Sequence, residues 1–260
     1  MKKSTARFSD RVENYVKYRP GYPAQILDFL KTHTELTSES LIADIGSGTG
    51  LLAQLFLENQ NTVYGVEPNP EMRSAGEEFL KKYPRFHSVS GTAEETGLPE
   101  GMFDFIIAGQ AFHWFDRDQS KQEFQRILKP GGWVALIWNE RKKEGTPFLE
   151  AYEKLLLEFA TDYQLVDHTR ISDEDFARFF TSDSMIMQTF SNEQWFDLPA
   201  LTGRVLSSSY CPNVGEPHHE EILARLEQIF NETQSAGKVC FEYDTRVYLG
   251  GLNNAGRASL

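Results

Sequence analysis

"LIADIGSGTGLLAQLF", residues 41–56, decides the fold. A mostly apolar run, Leu41 to Ala43, reaches Asp44, and glycines then occupy positions 46, 48 and 50. Leu51, Leu52, Leu55 and Phe56 follow at the spacing of one helix face. The stretch therefore reads as a buried strand passing into a helix through a glycine turn. Glycine has no Cβ, so such a turn tolerates positive φ and lets another group approach the backbone. The expectation is a ligand at the carboxyl end of this strand.

Working outward, the pattern alternates. "TVYGVE" (62–67) reads as a second strand, and Asn69 with Pro70 reads as the N-cap and first residue of the helix after it. "FHSVS" (86–90), "FDFIIAG" (103–109) and "WVALIW" (133–138) read as further strands, with a helix over 118–128. An amphipathic segment after Pro20 and Pro23 turns Ile26, Leu27, Phe29 and Leu30 inward. Apolar strands separated by helices indicate a parallel sheet covered on both faces. Beyond residue 139 the chain turns helical from Thr146 to about Phe180, with Ser172 and Asp175 spaced as a capping box. Late strands follow at 184–190 and 238–250, with a helix between them carrying Ile222, Leu223, Leu226, Ile229 and Phe230 on one stripe. The expected fold is α/β, a doubly wound, mostly parallel seven-stranded sheet with helical lid insertions after the fifth strand. It divides into a cap segment (1–39), a core (40–139), a helical insertion (146–180) and a C-terminal part (185–260) that completes sheet and lid.

The 260 residues carry a formal charge of −12, from 26 basic and 38 acidic side chains. That balance argues against a nucleic-acid partner, which would need clustered Lys and Arg. No apolar run is long enough to span a membrane, and the basic start lacks the apolar region of a secretory signal. Cys211 and Cys240 have no metal-type spacing and fit a reducing cytoplasm. No metal site is expected, and adjacent His218 and His219 read as surface residues at a helix start.

A dinucleotide site asks for G-x-G-x-x-G, with a pyrophosphate on the helix N-terminus. Here the spacing is G-x-G-x-G, and Leu51 stands where the last glycine would be. Glu67, at the end of the second strand, is placed to accept hydrogen bonds from both hydroxyls of a ribose.

"ADIGSGTGLL" (43–52), "VEPNPEM" (66–72), "GTAEETGLPEGMFDFI" (91–106) and "LKPGGWVAL" (128–136) resemble, in order and spacing, the class I S-adenosylmethionine-dependent methyltransferases. "FSDRVENYVKYRPGYP" (8–23) and "AGQAFHWFD" (108–116) are similar to the small-molecule subgroup that includes trans-aconitate methyltransferase. The resemblance implies a Rossmann-like methyltransferase fold and S-adenosylmethionine as cofactor. It implies that Asp44 orients the cofactor ammonium and that Gly46 and Gly48 pack against the cofactor. Glu67 would take the ribose, with Pro68 and Asn69 flanking the adenine and Ala93 and Glu94 at its edge. Gln110 and Ala111 would pass beneath the methionyl arm. Asp104 and the Lys129–Pro130–Gly131–Gly132 turn are expected to be structural.

Methyl transfer from a sulfonium requires positioning and exclusion of water more than a catalytic group. A carboxylate acceptor needs no base at neutral pH, whereas a phenol, amine or carbon acceptor can use one. His113 is the candidate base, and a packed imidazole beside Trp114 is its alternative role. Tyr15, Tyr18, Tyr22, His113, Trp114 and Arg141 are the candidate acceptor-binding residues, and Arg19 could bind the cofactor carboxylate or an acidic substrate. The competing readings are a noncatalytic S-adenosylmethionine-binding protein and a nicotinamide-dependent oxidoreductase. Base methylation of nucleic acid is disfavoured, because Gln110, Ala111, Phe112 and His113 stand where those enzymes resemble one another in an Asn/Asp-Pro-Pro-aromatic motif.

Overall fold

The computed structural model describes residues 17–160, 163, 173–180, 185–208 and 210–252. Seven strands form one sheet: β1 (Leu41–Ile45), β2 (Thr62–Val66), β3 (Phe86–Val89), β4 (Phe103–Gly109), β5 (Leu128–Arg141), β6 (Ile186–Phe196) and β7 (Val239–Gly250), in the order β3-β2-β1-β4-β5-β7-β6. β1 to β5 pair in parallel, and β7 runs antiparallel to both β5 and β6. This is the doubly wound methyltransferase topology expected from sequence. The helices are α1 (Gln25–His33), α2 (Leu51–Glu58), α3 (Pro70–Leu80), α4 (Arg117–Ile127), α5 (Pro147–Phe159), α6 (Asp173–Phe179), α7 (Leu198–Leu206) and α8 (His219–Thr233).

Alternation along the central strands divides the core. Ile42, Phe105, Ile107, Ala135 and Ile137 face Ile26, Phe29 and Leu30 of α1 and Leu52, Leu55 and Phe56 of α2. Ala43, Ile45, Ile106, Ala108, Val134 and Leu136 face Phe124 and Ile127 of α4 and Phe176 and Phe179 of α6. A strand with both faces covered must be apolar at nearly every position, which is why these strands read as continuous runs. A third apolar layer joins α5, α7 and α8 to Phe196 and to Val239, Phe241 and Tyr243 of β7.

Local signals land where expected. The Asn69 side chain accepts from Met72 N at 2.9 Å, and Thr146 Oγ1 accepts from Leu149 N at 3.2 Å, each capping its helix. Asp104 accepts from Leu41 N at 2.8 Å and pairs with Lys129 at 2.7 Å, a structural role. Ser172 lies outside the described residues.

Three features differ from the sequence reading. β5 begins at Leu128, because the Lys129–Gly132 segment enters the ladder through a register shift opposite Phe103 and Phe105. β6 spans eleven residues, held by a continuous ladder to β7 that local alternation does not reveal. His219 is buried rather than on the surface, and its Nδ1 lies 2.9 Å from the Pro212 carbonyl.

Candidate cofactor and acceptor site

β1 lies where the strand order reverses, with β2 on one side and β4 on the other. At such a point the loops leaving neighbouring strands diverge and open a crevice at their carboxyl ends. Tyr22, Asp44, Gly46, Ser47, Gly48, Thr49, Leu51, Leu52, Gly109 and Gln110 line a small cleft there. No Lys or Arg is among these lining residues.

The glycine turn is tethered to the end of β2. Gly46 N and Ser47 N both donate to the Val66 carbonyl, at 2.9 and 3.1 Å. Gly48 N donates to Glu67 Oε2 at 2.9 Å. Gly46, Gly48 and Gly50 all adopt left-handed φ, at +69°, +56° and +84°. Their absent Cβ atoms have different neighbours. A Cβ on Gly46 would sit 2.7 Å from that of Ala111, and one on Gly50 would overlap Leu80. A Cβ on Gly48 would meet only the end of Met72, at 3.4 Å. Protein therefore fills the space beside Gly46 and Gly50. Gly46 still lines the cleft, so its part there belongs to its backbone.

Asp44 is 1% exposed, and neither carboxylate oxygen has a hydrogen-bond partner. Burial pushes its pKa from 3.8 up to about 8; the Ala53 N–H pulls it back without reaching hydrogen-bond geometry, and the Glu67 charge pushes it further up. Glu67 is also buried. Its Oε1 accepts from Asn69 N at 2.8 Å, and its pKa is raised by burial despite the two backbone donors and Arg73. Gln110 leaves β4 in a left-handed conformation, φ +55°, rarely adopted by a residue with a side chain. Its N–H donates to the Ile137 carbonyl at 3.0 Å and its Nε2 to the Asn139 carbonyl at 2.9 Å. Its Oε1 and the Thr49 Oγ1 are buried without partners. Strain of this kind persists where neighbours over-determine a conformation, commonly at ligand sites.

The cleft thus brings together Asp44, Gly46, Gly48, Gln110 and Tyr22, with Glu67 joined through Gly48. Pro68 is exposed, and Asn69 is spent on its cap. Ala93 is buried in the face shared with α4, and Glu94 accepts from Asp116 N at 2.8 Å, tying together the loops after β3 and β4. His113 stands in a 3-10 turn, its ring 4.4 Å from Trp114 and 5.4 Å from Trp138. Trp114 is 42% exposed.

Tyr22 packs its hydroxyl over Gly109. Tyr18, Arg19 and Arg141 lie against the third apolar layer. The Tyr18 ring covers Gly203, Arg19 donates to the Ser207 carbonyl at 3.1 Å, and Arg141 pairs with Glu153. Tyr15 lies outside the described residues. Sequence reasoning passed over Ser47, Thr49, Leu51, Leu52 and Gly109; the first two are the alternate positions of the glycine turn, and that alternation was the available signal.

Residues 43–136 match the family model described as a methyltransferase domain. An uncharacterized methyltransferase-like protein of Schizosaccharomyces pombe is 30% identical over 156 residues, 60% of this chain and 59% of the relative. An uncharacterized methyltransferase of Mycobacterium tuberculosis is 34% identical over 134 residues, 52% of each chain. The chain thus spans a little over half the length of these curated relatives. In fold, it is similar to a solved structure from Anaeromyxobacter dehalogenans, provisionally assigned as a type II methyltransferase. That likeness has a TM-score of 0.69 at 19% identity and covers 90% of this chain and 98% of the other.

Proposed function

We propose that the chain, whose residues 43–136 match a methyltransferase domain, is a class I S-adenosylmethionine-dependent methyltransferase and that it methylates a small-molecule acceptor. The observation that carries this reading is the convergence of unpaired buried acceptors on one cleft: both Asp44 oxygens, Gln110 Oε1 and Thr49 Oγ1. An acceptor-rich, acid-lined wall suits a ligand that brings donors and positive charge. The lining offers a pyrophosphate no Lys or Arg, which argues against a nicotinamide dinucleotide. These residues fit S-adenosylmethionine: Asp44 and Gln110 would hold its ammonium, Glu67 its ribose hydroxyls, and Gly48 its close approach to the backbone.

Bound S-adenosylmethionine supplies a methyl group already activated by its sulfonium. The chain's work is to hold an acceptor in line with that methyl and keep water away. Orientation of this kind lowers barriers by about 7–11 kcal/mol in well-positioned reactions. The lid layer of α5, α7 and α8, with the 18–22 segment packed against Gly203 and Gly109, supplies the enclosure. Resemblance to the trans-aconitate methyltransferase subgroup supports a carboxylate oxygen as acceptor, which asks for no general base. On that reading His113 shapes the cavity with Trp114, and a base role for it would appear in the pH profile.

The test is calorimetric titration of the full chain with S-adenosylmethionine and S-adenosylhomocysteine, with NAD and NADP as controls. Labelled-methyl transfer to a panel of organic acids, phenols and amines follows. Micromolar binding of the first pair alone and transfer to one acceptor class support the reading. Binding of neither by folded protein overturns it.

A further inference from the structure

The lid layer holds a second set of polar groups that the cleft does not use. Arg204, on α7, is 4% exposed. Its Nη1 donates to Ser208 Oγ at 3.1 Å, and its guanidinium lies 5.7 Å from the centre of the Phe241 ring. Its Nε is buried without an acceptor, and among the described residues no carboxylate stands within ion-pair distance of it. Tyr152, on α5, packs its ring 4.7 Å from Phe241, and its hydroxyl is buried with no hydrogen-bond partner. The Arg141 guanidinium lies over the Tyr152 ring, 5.0 Å from its centre. Arg141 itself is committed: it pairs with Glu153 and donates to the Tyr163 hydroxyl at 3.0 Å.

Among the described residues, Glu153 therefore pairs with one of these two buried guanidinium groups, that of Arg141, and Arg204 has no carboxylate partner. Arginine does not shed its proton, so the charge stays. A buried cation without a counter-charge is unfavourable, and the two neutral hydroxyls that accept from Arg204, those of Ser208 and Tyr243, offset only part of that cost. An apolar core alone gains nothing from such a residue at this position, whereas an anionic ligand does. A carboxylate would accept from the Arg204 Nε–H, which has no acceptor, and from the Tyr152 hydroxyl together.

Two routes connect this cluster to the cofactor cleft. The Asn139 carbonyl accepts from Gln110 in the cleft, and Arg141 stands two residues further along β5, a rise of about 7 Å. Tyr18 covers Gly203, the neighbour of Arg204, while Tyr22, four residues on, covers Gly109 in the cleft wall.

We propose that Arg204, with Tyr152, anchors a carboxylate of the methyl acceptor, remote from the atom that receives the methyl group. The acceptor is then a small organic acid, and Arg204 determines its selection. The word "acceptor" rests on the methyl-transfer reading above; the binding of a carboxylate at Arg204 does not.

The experiment uses the full chain, with and without saturating S-adenosylhomocysteine. Melting temperature and calorimetric affinity are followed on titration with succinate, glutarate and citrate, with glutaramide as the neutral control and sulfate as the tetrahedral one. The wild type is expected to gain melting temperature saturably with at least one carboxylate and not with glutaramide. Tyr152→Phe removes one unpartnered oxygen, keeps the fold and weakens that response several-fold. Arg204→Met is expected to lose it at least tenfold, to bind S-adenosylhomocysteine within twofold of wild type, and to melt no lower than wild type without ligand. A merely structural arginine would lower the melting point and leave the carboxylate response intact, and that result overturns the proposal. So does an equal response to glutaramide, a stronger response to sulfate, or no carboxylate response in the wild type. Failure of S-adenosylhomocysteine to bind while carboxylates still respond through Arg204 overturns the methyl-transfer reading and leaves the anion site standing.

Discussion

Replacing Asp44 by asparagine keeps the side chain's shape and removes its charge. In the folded chain, burial holds the Asp44 pKa near 8, against 3.8 for an ordinary aspartate. Between those values the folded state keeps a proton that the unfolded state releases. Stability therefore falls as pH rises, by at most about 1.4 kcal/mol per pH unit. At pH 7, about three units above the unfolded value, the accumulated cost reaches up to about 4 kcal/mol. In Asp44→Asn that contribution vanishes. The difference in unfolding free energy, mutant minus wild type, should grow between pH 4 and pH 8 and level off on either side, measured by urea unfolding at each pH.

Binding should move the opposite way. An ammonium beside Asp44 favours the carboxylate, so cofactor binding at pH 7 should release up to one proton in the wild type and none through this residue in the mutant. Hydrogen bonds to charged groups contribute about 1.5–3 kcal/mol, or roughly 10- to 150-fold in affinity for the mutant to lose. Titration calorimetry in two buffers of different ionisation enthalpy reads both quantities. Equal affinity and equal proton release in the two proteins would refute the placement of the ammonium at Asp44.

The glycines separate in the same way. Gly46→Ala places a Cβ 2.7 Å from Ala111 in a left-handed conformation and should cost about 2–4 kcal/mol in urea unfolding. Gly48→Ala should cost only about 1–2 kcal/mol yet weaken S-adenosylhomocysteine binding more than tenfold; equal stability losses would sink the packing distinction. Glu67→Gln leaves one acceptor oxygen for the two N–H groups of Gly48 and Asn69. It should cost about 1–3 kcal/mol of stability and measurable cofactor affinity, and an unchanged calorimetric Kd would contradict the ribose assignment. His113→Phe should retain turnover within about tenfold with an unaltered kcat/KM–pH profile. A loss in the hundred- to ten-thousand-fold range typical of general bases, with a vanished pH limb, would make His113 the base.

Much of the fold was legible because its determinants are local. The run into Asp44, the spaced glycines, the Asn69 and Thr146 caps and the apolar stripe of α8 each lie within a few residues, and the period of each reports its element. The length of β6, the register shift at the start of β5 and the burial of His219 depend on partners far along the chain, and no local pattern carries them.

At the site the division is the same. Sequence by itself determined that an acidic residue and a glycine turn end the first strand, that a second acid ends the next, and that the third glycine of a dinucleotide motif is absent. Tertiary structure alone decided what those residues can do. Gly50 yields its space to Leu80 and Gly46 to Ala111, while Gly48 keeps an open side. Gln110 is held in a left-handed turn by Ile137 and Asn139. Arg204 reads from sequence as an ordinary basic residue in a helix and in the fold is a buried cation without a carboxylate among the described residues. A backbone pattern follows from neighbours in sequence, but an unpaired charge or an open side is defined by every group that packs around it, and packing joins residues the chain keeps far apart.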